Sequence, residues 1–109
     1  MDKKEFYVSI TPKQIVEHLK AVEITDIEHV EVHELPYGKQ MCVMIFERYF
    51  FRTSNQATCT LIAQNFNEKT LVRLVATGAS QGMFLKLDWG ASSSFVSSIA
   101  KSLSPFIIG

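Results

Sequence analysis

The chain has 109 residues, with 11 Lys and Arg balanced by 11 Asp and Glu, so its formal charge is zero. That length suits one domain spanning residues 1–109, and 47% hydrophobic residues exclude a disordered polyelectrolyte. Charge neutrality removes the electrostatic attraction behind non-specific binding to nucleic acid or anionic membranes, and no RNP-type motif replaces it.

Cys42 and Cys59 lie in apolar runs with no CxxC pair, which reads as buried free thiols. The opening Met1-Asp2-Lys3-Lys4-Glu5 leads into only a short apolar stretch, so neither a signal peptide nor a membrane span is expected, and the expected location is the cytoplasm.

In chain order, Phe6, Val8 and Ile10 alternate with polar neighbours as a first strand. Thr11-Pro12-Lys13-Gln14 supplies a capping box with proline at the first helical position, and Ile15, Val16, Leu19 and Val22 form the apolar stripe of a helix over 12–22. Ile27 to Leu35 alternates valines with charged or imidazole groups, and Pro36-Tyr37-Gly38 closes a hairpin. Gln40 to Thr53 is rich in β-branched and aromatic residues and reads as a long strand, bulged at Glu47-Arg48. Ala57, Cys59, Leu61 and Ala63 form one face of the next strand, and Val72, Leu74 and Ala76 carry the return after a turn over 65–69. Met83, Leu85, Leu87 and Trp89 alternate as a sixth strand. Ser92, Ser93 and Ser94 then offer caps to a final helix carrying Phe95, Val96, Ile99, Ala100 and Leu103, which Pro105 stops.

The order β-α-β-β-β-β-β-α predicts an α+β domain: an antiparallel β-sheet with both helices on one face, curved around the C-terminal helix. The stretch "FYVSITPKQIVEHL" (6–19) resembles the first strand and helix of START-like helix-grip domains, which implies a helix-grip-like topology. The stretches "MIFERYFFR" (44–52), "GASQG" (78–82), "DWGASSSFV" (88–96) and "SPFII" (104–108) resemble a family of small uncharacterised proteins from Gram-positive bacteria, a domain of unknown function. That resemblance covers nearly the whole chain, implies a bacterial source and brings no activity, cofactor or site residue with it.

No acid, base and nucleophile assemble from the sequence, so an enzyme is disfavoured and no cofactor is expected. His29, Glu31 and His33 share one side of a strand, yet the two imidazoles start roughly 13 Å apart, too far for one ion with bonds of about 2 Å. An ion held between protomers would need a further ligand, and no metal site is assigned. Gly78 to Gly82 lacks the lysine and following helix of a phosphate loop. The most informative run is Glu47 to Arg52, where charges interrupt aromatics. Phe46, Arg48, Phe50 and Arg52 share one parity, and with Trp89 they would make an aromatic pocket whose arginines hold an acidic head group. The leading reading is therefore non-catalytic binding of a small apolar or amphipathic molecule between the sheet and the C-terminal helix. The alternative is a homodimeric interaction module, because 8 phenylalanines and 4 methionines exceed what one small core covers easily.

Overall fold

The computed structural model describes residues 2–22, 26–50, 55–78 and 85–108. Its elements are β1 (Asp2–Val8), α1 (Pro12–Val22), β2 (Asp26–Glu34), β3 (Gln40–Phe50), β4 (Asn55–Asn67), β5 (Lys69–Gly78) and α2 (Leu85–Ser102), with single 3-10 turns at Pro36–Gly38 and Ser104–Phe106. Five strands form one antiparallel sheet in the order β1-β5-β4-β3-β2. Because β1 and β2 occupy opposite edges, the chain between them must cross the sheet. α1 makes that crossing, packing on β3, β2 and β4, and its Pro12, Ile15, Val16 and Leu19 are buried. α2 covers the other part of the same face, over β5, β4 and β1.

Period-two alternation sends one set of side chains from every strand under the helices. The register lines them up in rows across the sheet: Val32, Cys42, Ala63, Val72 and Phe6 form one, and Val30, Met44, Leu61 and Leu74 the next. Phe46, Cys59 and Ala76 follow, and Arg48, Ala57 and Gly78 make the last. Met44, Phe46, Leu61 and Leu74 are fully buried and meet Ile15 and Leu19 of α1 and Phe95, Ile99 and Leu103 of α2 in one core. Part of the aromatic surplus is thereby absorbed, since Phe6, Phe46 and Phe95 are all core residues. The opposite face carries Val43, Ile45, Thr58, Thr60, Ile62, Leu71 and Val75, only half-buried and, among the described residues, without a helix over them. Glu5 and Arg73 pair across that face at 2.8 Å.

Three sequence expectations are corrected. Leu85 to Trp89 belongs to the first turns of α2 instead of a sixth strand, and Ser92 to Ser94 lie inside the helix instead of capping it. Met83 to Trp89 alternates in hydropathy but contains no β-branched residue, and Leu, Lys and Met favour helix. Gly90 costs this helix about 1 kcal/mol relative to alanine, a loss that the packing of its later turns offsets. The bulge, placed at Glu47-Arg48 by the sequence, lies on the neighbouring strand: the β2–β3 register shifts between Ile27 and His29, while β3–β4 runs without interruption from Met41 to Phe50.

The edges of the sheet differ. Beside β1, the C-terminal segment adds a bridge between Ile107 and Val8, with Ser9 N–H donating to Phe106 O at 2.8 Å and Ile108 N–H to Tyr7 O at 2.9 Å. Among the described residues β2 hydrogen-bonds to β3 alone and ends the sheet. At the β2–β3 turn Tyr37 is 98% exposed with φ 65, beside Gly38 at φ 74. Asn65 braces the turn by accepting from Gln40 N–H at 2.7 Å.

The capping box forms as the sequence implies. Thr11 Oγ1 accepts from Gln14 N–H at 3.2 Å, and Gln14 Oε1 accepts from Thr11 N–H at 2.9 Å. Thr11→Ala should therefore lower the unfolding free energy by ~1 kcal/mol, read from the urea midpoint. An unchanged midpoint would show that the box does not stabilise α1.

Candidate functional site

Glu47 and Arg48 are adjacent on a strand and so project from opposite faces. Glu47 goes to the open face, where its Oε1 accepts from Gln56 Nε2 at 2.9 Å. Arg48 shares the parity of fully buried Phe46 and goes under α2, where it is half-buried. Its Nη2 donates to Ser98 Oγ at 3.2 Å, and its Cζ lies 5.0 Å from the centre of the Phe95 ring. Phe95 and Ser98 are three apart on α2, hence on one side of the helix. A guanidinium moved out of water needs compensation, and the negative face of a ring with a hydroxyl acceptor supplies part of it.

Around this group the inner face loses bulk. On β4 and β5, Leu61 and Leu74 are followed in the next row by Cys59 and Ala76, beside Phe46 of β3, then by Ala57 and Gly78 in the row of Arg48. Ala57, Cys59 and Ala76 are fully buried, so α2 lies directly on a floor of small side chains. On β1, Asp2 lines up with Ala76, and its Oδ2 is buried with no hydrogen-bond partner among the described residues.

The five residues assigned to a pocket by the sequence divide as follows. Phe46 is in the core and Arg48 is beside it. Phe50 ends β3 on the same parity, with its side chain outside the described residues, as is all of Arg52. Trp89 lies within α2, not at a strand end, and its side chain is also outside the described set. Residues 79–82 of the glycine-containing loop lie outside it too. Ser98 and Phe95 were missed as partners of Arg48, because nothing local connects residues fifty positions apart. His18 was missed as well: half-buried on α1, it donates through Nε2 to Ser102 O at 2.8 Å and meets the Phe106 ring edge-on, tying α1 to the end of α2. Its position on α1, one residue before the buried Leu19, was the available signal.

On β2, His29 Nε2 and His33 Nε2 donate to the two oxygens of Glu31 at 2.6 and 2.9 Å. These bonds, that from His33 foremost, hold the Glu31 carboxyl below its usual value of 4.5. Among the described residues of one chain, no group of three His, Cys, Asp or Glu is placed to hold a metal ion.

With this geometry in view, residues 1–107 match the model of a family of unknown function, DUF6054. The chain belongs to that family. No curated protein and no solved structure matches it. No helix of the described residues is long and apolar enough to cross a membrane. Both thiols are free and fully buried, and burial raises Cys42 to about 11 and Cys59 to about 12. Thiolate is the reactive form, so neither is a nucleophile near neutral pH. A disulfide reagent such as DTNB should titrate neither cysteine in the native protein at pH 8 and both in guanidinium chloride. Rapid modification of one native thiol would contradict its burial.

Proposed function

We propose that this protein is a non-catalytic binding domain for a small amphipathic acid, held between the sheet and α2 at the Arg48 end. The observation that carries the reading is the half-buried guanidinium on the helix-covered face, set between Phe95, Ser98 and a floor of small side chains. An acid head pairs with Arg48 through charge-assisted hydrogen bonds, and an apolar body lies over Ala57, Cys59 and Ala76 against Phe46. Room for it comes from α2 moving off these small residues, which displaces less packing than a floor of leucines would. The strand order, with β1 beside the last strand and a C-terminal helix across the sheet, favours a helix-grip reading of the same space. A Gram-positive, cytoplasmic setting accords with the family resemblance and with the neutral chain.

The test is native mass spectrometry of the purified protein for co-purifying fatty-acid-sized molecules, followed by calorimetric titration with a panel of amphipathic acids. Binding should weaken about tenfold or more in Arg48→Ala, the loss expected for a charge-assisted hydrogen bond. Absence of any bound species and of any heat of binding across the panel would remove the reading. Binding indifferent to Arg48→Ala would move the ligand elsewhere.

A further inference from the structure

Over Glu28–Glu34 strand β2 reads Glu-His-Val-Glu-Val-His-Glu, the same in both directions about Glu31. An antiparallel pair of identical strands about a two-fold axis matches each residue with the one equally far beyond the axis. Centred on Glu31, that symmetry sets His29 opposite the partner's His33, Val30 opposite the partner's Val32, and the two Glu31 residues opposite each other.

The backbone agrees with this centre. Leu35 N–H donates to Lys39 O at 2.8 Å, which fixes the phase of the β2–β3 ladder. Antiparallel pairs alternate between bonded and non-bonded, so the peptide groups of Glu31 and His33 face β3 while those of Val30, Val32 and Glu34 face the free edge. In a pair centred on Glu31 the valines exchange hydrogen bonds. The histidine and glutamate positions become the non-bonded pairs, whose Cα atoms lie closest, about 4.5 Å apart. His29, Glu31 and His33 also share the open face of the sheet, away from both helices.

We propose that two copies of this chain join along β2 into one continuous sheet, and that the joint holds two equivalent divalent transition-metal ions of the zinc class. Each ion sits between His29 of one chain, the partner's His33 and a Glu31 carboxylate. Within one chain the His29 and His33 backbones lie roughly 13 Å apart along the strand and the three side chains are not placed to hold an ion; that mismatch is removed when the second imidazole comes from directly across the strand gap, where facing Cβ atoms are about 4.5–5.5 Å apart. Imidazole and carboxylate are the ligands zinc takes, with bonds of about 2 Å. The carboxylate already reaches both rings within one chain, so it needs little rearrangement to serve as third ligand. The ion also decides whether the copies join. Without it the two Glu31 carboxylates oppose each other, and like charges facing across strands disfavour pairing. The apolar term favours joining, since Val32 is 37% exposed in the single chain and would be covered by the partner's Val30. The other edge offers no such joint, because the C-terminal segment already lies along β1.

The test is light scattering of the full chain after gel filtration, in EDTA and in zinc chloride, with metal content measured on the same fractions. The expected result is the chain mass of 12.3 kDa in EDTA and twice that in zinc, with one zinc per chain. His33→Ala, at an exposed position, should remain monomeric in zinc. Val32→Pro removes a free-edge N–H and leaves all three ligands in place, so it too should remain monomeric, with circular dichroism confirming that it folds. Zinc that leaves the mass unchanged overturns the proposal. A dimer that persists in EDTA and in His33→Ala overturns the metal joint, and a zinc dimer retained by a folded Val32→Pro overturns the strand pairing.

Discussion

Placement of β1 and β2 at opposite edges of the sheet is the constraint on which the rest depends. A chain that leaves one edge and must begin at the other has to traverse a face, and the segment that does so is amphipathic α1. Once α1 lies across β3 and β2, that face is the interior, and the apolar stripe of α2 finds the remaining apolar area beside it. β4, at the centre, shows the result most plainly: Ala57, Cys59, Leu61 and Ala63 are wholly buried, while Thr58, Thr60, Ile62 and Gln64 between them are not. Among the described residues the same constraint leaves the second face without helices and the β2 edge without a neighbour.

Elements governed by local rules were legible. Alternation identified β1, β4 and β5, and the Thr11–Gln14 box with Pro12 fixed the start of α1 to the residue. The start of α2 was not legible, because a short apolar alternation has the same appearance on a strand and on one flank of a helix. Composition should have decided it, since Met83 to Trp89 lacks any β-branched residue. The bulge was displaced by one strand for a related reason: charges within an aromatic run suggested a break, yet on a sheet with two different faces Glu47 and Arg48 are both accommodated without one. Pairing of β1 with β5 depends on contacts across most of the chain, and no local pattern encodes it.

At the Arg48 site the sequence supplied the parity and not the company. The alternation from Phe46 put Arg48 on the face of a core residue, and Arg48 lies on that face beneath α2; the Phe50 side chain and Arg52 lie outside the described residues. Phe95 and Ser98 became its partners only when α2 settled on β4 and β5. Polar chemistry elsewhere follows the same division between faces. Cys42 and Cys59 are driven toward the neutral thiol by the core, whereas on the open side the hydrogen bonds from His33 and His29 hold Glu31 toward the carboxylate.

That the sheet is buried on one face, closed along β1 and open along β2 can be read from residue-resolved amide hydrogen exchange in EDTA. The central β4 amides of Cys59 to Ala63 should exchange only through global unfolding, and Ser9 and Ile108 should be protected by their bonds across the β1 edge. Along β2 protection should alternate, with Glu31 and His33 slow and Val30, Val32 and Glu34 fast. Uniform protection along β2, or fast exchange in β4, would contradict it.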